Sequence, residues 1–541
     1  MNLQSSLTLN SGSIYQQNIA GVTQASAATP IGLTGYYSFT QVDGPMVIDP
    51  GSTLQPLLLN LFSSTETSYG TAPYVPKLGD QLRMLTASGG ITGKFSILTQ
   101  PEGLASGTQF VSFYKMNNSK SIDLAVIPTS YPTTIASASG NKNAQSVGSA
   151  LDKIAQANVT GSSSTLQDTL LYAVSGLTSA DSIASYAQSL AGEIYGAVVA
   201  VVAQTTLRVQ QAVMSRLGDA VSAPMVASGI TPVANTVNNM ANPGQAPLAN
   251  VSSNPGVNPN ATVTSATMNN GAAWGEIAYQ RGNRSGDNNA SGFTSNLYQL
   301  VFGVDAYSEN GVKLGGGLAL SNTNVTATQG TGTVQQNALF LYGRLPIDTF
   351  MLNGMASYGM NSTDTSRADV TGLSNGFSTK GVSGNDALVS VGLSRPIDLD
   401  DMRITPYVRG TWQMVNQSAF NEGSSPAALS VNSFNSNGVR GVVGVVLGSK
   451  TTNPMNENYT YRVNLGVGAD SPNLINPSLN ASLAGMPTTI TTPNAGSAFA
   501  QAGFYGTMKF ADNAFAYAGV AGEFRNGSTL GNVSVGVRIQ F

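Results

Sequence analysis

The chain has 541 residues, of which 9% are charged, and a formal net charge of −3. Soluble globular domains carry about 25% charged residues, so this composition argues against an ordinary cytosolic surface, and no basic stripe supports nucleic-acid binding. Histidine and cysteine are both absent, which excludes imidazole and thiolate metal sites, disulfides and a Ser-His-Asp triad. Carboxylate-only or Ser-Lys chemistry remains open, but we expect no cofactor and no enzyme. The length of the chain predicts two or three structural units.

The N-terminus, MNLQSSLTLNSGSIYQQ, has neither the basic nor the apolar segment of a signal peptide. The most apolar run, IYGAVVAVVA at 194–203, is shorter than the roughly 18 residues of a spanning helix. We expect an export signal to be missing from this chain, as in a fragment, a processed form or a gene with a misassigned start.

Residues 1–135 alternate short runs of β-forming residues with turns of Gly, Asn and Ser. Runs such as STLQPLLLNLF and QFVSFYKMNNSKSIDLAVI predict short strands. A small β-sandwich is one fold that would accommodate them.

Residues 141–220 change to the period of an amphipathic helix, with an apolar stripe at Val147, Ala150, Leu151, Ile154 and Ala155. A Ser/Gly break at 161–164 separates this helix from further helical sequence. The last helix is expected to be capped by Ser179 or Asp181 and to end at Gly218. Taken alone, this region would be an ordinary helical hairpin domain. Residues 221–270, rich in Pro, Asn, Gly, Ser and Thr, predict a flexible linker.

From 271 to 541 the chain repeats about ten alternating residues followed by a turn or loop, as membrane-spanning β-strands do. The repeats predict about twelve strands. The last strand is the clearest, and its lipid-facing side is predicted to be Val533, Val535, Val537, Ile539 and Phe541. Charges in the clearest strands fall on the opposite, lumenal face, as at Asp305, Arg409, Arg462 and Arg538.

The connections between the predicted strands are of two kinds. Tight turns at 309–311 and 510–513 are expected at one end of the barrel, and long polar loops at 417–429 and 472–494 at the other. The segment that begins near Asn513 alternates poorly, which predicts a β-bulge.

Several motifs resemble the C-terminal region of autotransporters, the proteins of type V secretion. The stretch from Gly79 to Ile127, with its Gly-Asp, Gly-Gly and Gly-Lys-Phe-Ser motifs, resembles the last rungs of a β-helix passenger. The run Leu190-Ala191-Gly192-Glu193-Ile194-Tyr195 resembles the family's Leu-Ser-Gly-Glu-Ile-Tyr helix, with Ala191 in place of Ser. Trp274, the segment LVFGVD at 300–305, Thr405-Pro406-Tyr407 and the terminal Phe541 resemble the family's β-domain.

This resemblance implies a mainly all-β protein: an antiparallel transmembrane barrel of about twelve strands (271–541), preceded by an α-helical linker region (141–220), a flexible linker (221–270) and a short parallel β-helix remnant (1–135). The barrel would anchor and translocate an extracellular passenger across the bacterial outer membrane, with the N-terminal region at the cell surface and adhesion as one role. An upstream segment, the helix ending near Leu217 or the linker, would thread the lumen. Asp305, Arg409, Arg462 and Arg538 would either contact that segment or only hydrate the lumen.

The resemblance also implies partners, namely outer-membrane lipid, the barrel-assembly machinery and periplasmic chaperones, and a monomeric state. The assembly machinery would read the lipid-facing C-terminal residues, although Phe541 is also placed as an interfacial aromatic. Some autotransporters cut themselves at Asn-Asn pairs. Asn238-Asn239 and Asn269-Asn270 are such pairs, but neither has the family's Glu-Val-Asn-Asn context, so cleavage is not expected.

Two alternatives remain at this point. The first is a passenger that carries a hydrolase, for which no G-x-S-x-G motif occurs in a strand–turn–helix context. The second is a diffusion porin, which the long N-terminal β and helical regions disfavour.

Overall fold

The structure, a computed structural model, describes residues 1–26, 28–29, 34–61, 74–114, 120–217, 270–308, 311–450 and 458–541. A coil of short strands, a group of helices and a large barrel follow one another along the chain. The Asn238-Asn239 pair, Asn269, Gly218, and the predicted linker up to residue 269 lie outside the described residues, as do turn residues Glu309 and Asn310.

The N-terminal strands stack as three parallel sheets, in the orders β1-β6-β9, β2-β7-β10 and β3-β8-β11. Their apolar side chains, such as Met46, Leu54 and Leu82, fill the interior of the coil. Parallel pairing excludes the antiparallel β-sandwich and matches the predicted β-helix remnant. The strands are β1 Asn2–Leu3, β2 Leu7–Leu9, β3 Ile14–Asn18, β4 Thr23–Gln24, β5 Tyr36–Tyr37, β6 Thr40–Val42, β7 Met46–Ile48, β8 Thr53–Leu57, β9 Gln81–Ala87, β10 Ile91–Gly93, β11 Ile97–Leu98, β12 Thr108–Phe113 and β13 Ser121–Pro128.

An antiparallel hairpin closes the end of this coil. Strand β12 pairs antiparallel with β13, and β13 pairs antiparallel with β9 of the last rung. The hairpin therefore covers the edge of β9, and β12 becomes the outer strand of that sheet.

Five helices follow: α1 Tyr131–Ser137, α2 Lys142–Val159, α3 Thr165–Ser175, α4 Ala180–Leu190 and α5 Glu193–Leu217. The predicted apolar stripe is the buried face of α2. The helical region begins at Tyr131, earlier than the predicted residue 141, because Ser130 caps a short first helix.

The prediction of one long last helix is wrong. Ser179 does cap a helix, but that helix is α4, which ends at Leu190. The chain then turns at Gly192, whose φ is +65°, before α5 begins at Glu193. A Cβ atom at Gly192 would lie 2.5 Å from Leu429 Cδ1, so the close approach of this distant loop requires glycine here.

Twelve antiparallel strands close into a barrel, which confirms the predicted fold class and strand number. Closure comes from the pairing of the first strand with the last, β14 with β30, and from the pairing of β19 with β21. The barrel strands are β14 Asn270–Arg284, β15 Phe293–Tyr307, β16 Lys313–Ala327, β17 Gly330–Ile347, β18 Phe350–Arg367, β19 Phe377–Ser394, β21 Met402–Gln417, β24 Phe434–Ser449, β25 Tyr459–Asp470, β28 Ala498–Ala511, β29 Ala514–Arg525 and β30 Ser528–Gln540; a short β20, Ile397–Asp398, pairs with β21.

The barrel has two different ends. The terminal end is where β14 begins and β30 finishes, and its connections are mostly short. The loop end is the opposite one, and there the two predicted polar loops form a further sheet, the loop sheet. It consists of β22 Phe420–Asn421, β23 Leu429–Val431, β26 Ser478–Leu483 and β27 Met486–Thr491, with the short helix α6 Pro472–Ile475 beside it.

A register shift is present where a bulge was predicted. It falls between Lys509 and Ala511 of β28, where that strand pairs with β29, so the extra residue is on the neighbouring strand rather than on the poorly alternating one.

The outward face is apolar only over part of the barrel height. Leu318, Leu339 and Tyr358 lie side by side on three neighbouring strands, and all three are exposed. Nearer the loop end the outward residues on these strands become polar, as at Gln335 and Ser362. Strands of up to 18 residues are longer than the roughly 9–11 that cross a bilayer, so they project beyond the apolar band at the loop end.

Arginine substitutions at two depths on one strand test this band. Leu341, 70% exposed in the band, and Gln335, above it, share the outward face of β17. We expect Leu341→Arg to lower the folding free energy in lipid vesicles by about 2–4 kcal/mol and Gln335→Arg by only about 0–1 kcal/mol. The measurement is the folded, SDS-resistant fraction in a urea titration. Equal losses at the two positions would contradict the assigned band.

Candidate functional site: the helix in the barrel lumen

Helix α5 runs through the lumen from the loop end to the terminal end. Its first half, around Val198, packs beneath the loop sheet and against Val334 and Phe377 of the barrel wall. Its second half packs near Trp274 and Phe340. By length and composition α5 could cross a membrane, but 78% of its most apolar stretch is buried, so its apolar character is explained by this enclosed position.

Neutral polar side chains join the middle of α5 to the wall. The Thr206 hydroxyl donates to Asp386 at 2.8 Å, and Gln336 donates to the same carboxylate at 2.6 Å. Gln210 donates to the hydroxyls of Ser390 and Thr411, each at 2.7 Å. These bonds give the Thr206 hydroxyl, the Gln210 amide and the Asp386 carboxylate partners inside the lumen.

Two buried ion pairs fix the second half of α5. Arg208 pairs with Glu276, and Arg216 pairs with Asp305 at 2.9 Å; all four side chains are 3% exposed or less. Asp305 also accepts a hydrogen bond from the Tyr342 hydroxyl at 2.8 Å. Because removal of one partner would leave a buried charge uncompensated, these pairs hold the helix in one register.

The four charges predicted to face the lumen all lie inside the barrel, but they do not share one role. Asp305 contacts α5 through Arg216, and Arg462 donates to the backbone carbonyl of Ser215 at 2.8 Å. Arg409 lies over the ring of Tyr407, 5.3 Å from its centroid. Arg538, 1% exposed, lies 6.0 Å from the ring of Phe515.

A buried carboxylate at the loop end, Glu422, holds the start of α5. Glu422 accepts two hydrogen bonds from Arg367, each 2.5 Å, one from the hydroxyl of Tyr195, and one from the Leu429 amide at 2.6 Å. Sequence reasoning missed Glu422 because it stands in a segment interpreted as a polar loop. The one signal available was the rarity of charges in this chain.

The loop sheet is also hydrogen-bonded to the helices that precede α5. Asn143 of α2 donates from its amide to the Thr491 carbonyl and accepts from the Thr491 N–H, both at 2.8 Å. Ser146, one turn later, accepts from the Thr489 N–H at 2.8 Å. Side chains of α2 thus satisfy the free edge of β27 as a neighbouring strand would. No pattern in the sequence indicated this clamp.

Glu193, the first residue of α5, links the lumen helix to the clamp, that is, to the contacts of α2 with the edge of β27. Its carboxylate accepts from Asn141 at 2.7 Å, from Asn143 at 3.1 Å and from the Ser291 amide at 3.2 Å. The motif that resembled the family's Glu-Ile-Tyr helix therefore places its Glu and Tyr side chains at the junction of helices, loops and barrel.

The C-terminal residues are on the outer face of the barrel. Their side chains are exposed by about half or more, in the set Val533, Val535, Val537, Ile539 and Phe541. The Gly271 amide donates to the Phe541 carbonyl at 2.9 Å, so the last residue completes the seam with β14. Their role as a signal for assembly stays a prediction.

The described residues form neither of two kinds of catalytic site, a metal centre or a serine nucleophile elbow. Among the described residues, no group of three or more acidic side chains could hold a metal ion. The pentapeptide GLSNG at 372–376 occupies the connection between β18 and β19, so it is not a strand–turn–helix elbow.

A closed twelve-stranded barrel with an apolar outer band and a helix locked in its lumen defines a plugged outer-membrane barrel. Residues 273–521, which make up most of the barrel, match the family model "Autotransporter beta-domain", so this part of the chain is similar to the outer-membrane barrels of passenger secretion. The match indicates no enzyme family.

Solved structures of similar barrels include three autotransporter domains. The translocator domain of NalP from Neisseria meningitidis is 18% identical, with a TM-score of 0.40, over 50% of this chain and 88% of that one. The transport unit of AIDA-I from Escherichia coli is 11% identical (TM-score 0.40; 53% and 93% covered), and the β domain of Bordetella BrkA is 14% identical (0.35; 50% and 98%). No curated protein matches the chain.

Hydrogen exchange tests the clamp between α2 and β27. Asn143→Ala removes the acceptor of the Thr491 N–H, so we expect that amide to exchange about fivefold faster or more, since one such bond contributes about 1 kcal/mol. The matched control is Ser149→Ala, also on α2, whose hydroxyl bonds only to the Gln145 carbonyl of its own helix. Unchanged protection of the segment 486–491 in Asn143→Ala would show that the clamp does not hold this edge.

Proposed function

We propose that this chain is the anchoring end of an autotransporter, with its barrel in the outer membrane, its terminal end towards the periplasm and residues 1–128 held at the cell surface by α5. One observation carries the proposal. Helix α5 ends at Leu217 at the terminal end, and strand β14 begins at that same end. Within the described residues the chain therefore crosses the lumen once, and the described residues N-terminal to α5 lie on the side opposite the entry into the barrel.

Contacts at the loop end support a fixed rather than a loosely tethered N-terminal part. The amides of Lys142 and Asn143 donate to the carbonyls of Asn288 and Asn289 in the first barrel loop, at 2.9 and 3.2 Å. With the clamp on β27, these bonds orient the helices on the barrel, and the helices pack against the hairpin that ends the coil. The barrel would thus both anchor the coil and set its direction.

Adhesion is the role that we propose for the coil. On one of its parallel sheets the side chains of Ile14, Thr53 and Ile97 stack in register, and the two isoleucines are more than half exposed. Such a flat column suits contact with another surface. A hydrolase on this part of the chain has no histidine to use, and the described residues include no group that could hold a catalytic metal ion.

Outer-membrane lipid is the proposed partner of the apolar band. A closed barrel leaves no strand edge for pairing with a second copy, which favours a monomer. The barrel-assembly machinery and periplasmic chaperones are proposed as transient partners, with Phe541 and the exposed residues before it as the recognised segment.

Labelling of single cysteines tests the orientation. Because the chain has no native cysteine, only the introduced thiol can react. Ser137→Cys places a thiol on the exposed side of α1, and Asp512→Cys places one in the turn between β28 and β29 at the terminal end. On intact cells a membrane-impermeant maleimide should label the thiol at position 137 but not the one at position 512, whereas permeabilised outer membranes should expose both. Labelling of position 512 on intact cells would reverse the proposed orientation.

Single-channel conductance separates the plugged anchor from a porin. The full chain should conduct little because α5 and the loop sheet fill the lumen, and deletion of residues 193–217 should raise the conductance several-fold. The matched control is deletion of residues 1–128, which leaves α5 in place and should leave the conductance low. Equal, high conductance in all three proteins would instead support the porin.

A further inference from the structure

Helix α5 does not fill the lumen evenly. It packs mainly against β15 to β19 and β21. Beside its last turns a cavity of about 140 Å³ remains, lined mainly by β21, β24, β25, β28 and β29, with Asn353 of β18 and Ser394 of β19 at its margin. The cavity lies towards the terminal end, where Leu217 and Ser394 line it. A single water needs about 10–15 Å³ by the same measure, so this space holds a small solute together with water.

Two arginines, Arg409 and Arg462, give this cavity its charge. None of the described residues that line it is acidic. Five other arginines inside the barrel lie against carboxylates, in the pairs Arg208–Glu276, Arg216–Asp305, Arg367–Glu422, Arg440–Glu523 and Arg525–Asp470. Among the ion pairs of the described residues none includes Arg409 or Arg462, so the lining of the cavity is positively charged.

Aromatic and amide side chains hold the two guanidinium groups in place. Arg409 lies over the ring of Tyr407, and Arg462 lies 5.6 Å from the centroid of the Tyr505 ring. The Tyr407 hydroxyl donates to Asn464 at 3.0 Å and accepts from Gln501 at 2.8 Å. Arg462 uses one nitrogen on the Ser215 carbonyl, which leaves further N–H donors in the same side chain.

We propose that this cavity is a site for small inorganic or carboxylate anions, held beside α5 by Arg409 and Arg462. Guanidinium donors recognise carboxylate and phosphate oxygens, and low-dielectric walls strengthen the attraction. An anion there would balance the positive charge beside the last turns of α5. It depends on neither the orientation of the barrel nor the nature of the passenger, so its failure leaves the proposed function intact.

Charge-selective labelling of the full chain in detergent tests the site. Ser394→Cys puts a small, nearly isosteric thiol in the cavity wall, and Ser137→Cys on α1 is the reference position. Each thiol is reacted with an anionic and a cationic methanethiosulfonate of similar size, sulfonatoethyl and trimethylammonioethyl. We expect the anionic-to-cationic rate ratio to be about tenfold higher at position 394 than at 137, because a cleft of one charge sign concentrates the opposite ion.

Paired substitutions assign the preference to the two arginines. In the Ser394→Cys background, Arg409→Gln with Arg462→Gln should bring the ratio to within about twofold of the reference, whereas Arg409→Lys with Arg462→Lys should keep it high, since charge is retained. If the glutamine pair does not fold, the salt dependence of the Ser394→Cys protein decides, because added NaCl should lower the ratio. A ratio equal to the reference, a ratio insensitive to salt, or a thiol that neither reagent reaches would overturn the site.

Discussion

The seam between β14 and β30 is the interaction on which the rest of the structure depends. In hydrocarbon a backbone N–H or C=O without a partner costs several kcal/mol, so a membrane sheet must close on itself. Thirteen residues of β14, from Ala272 to Arg284, pair with β30, and the Gly271 and Phe541 backbones add the last bonds. Closure removes every edge, but it also creates a lumen wide enough to need filling.

The low charge content of the chain follows from how that lumen is filled. Many of its few charges are inside the barrel, where they join α5 to the wall, as Arg216 does with Asp305, or join one wall strand to another, as Arg525 of β29 does with Asp470 of β25. Within the apolar band, a charged side chain on the outward face would destabilise the barrel in lipid. A composition that looked unusual for a soluble protein is the one that a lipid-facing exterior and a locked lumen require.

The loop sheet holds the upstream helices on the barrel. Glu422 holds Tyr195 at the start of α5, and the edge of β27 holds Asn143 of α2. Both contacts involve polar groups that would be unsatisfied if the helices moved away, so detachment costs more than the loss of apolar contact alone. The loop sheet therefore links the helix in the lumen to the helices that orient the coil.

The sequence by itself determined the features that depend on local periodicity. Alternation separated the outward Val537 from the inward Arg538, the number of repeats predicted twelve strands, and the helical stripe of α2 was read from its spacing, because each reflects the geometry of one element facing one environment. Only the tertiary structure decided the break at Gly192, the loop sheet, and the contacts of Glu422 and Thr491. Their partners are far away in the chain, and periodicity carries no information about which distant residue will lie opposite a given one.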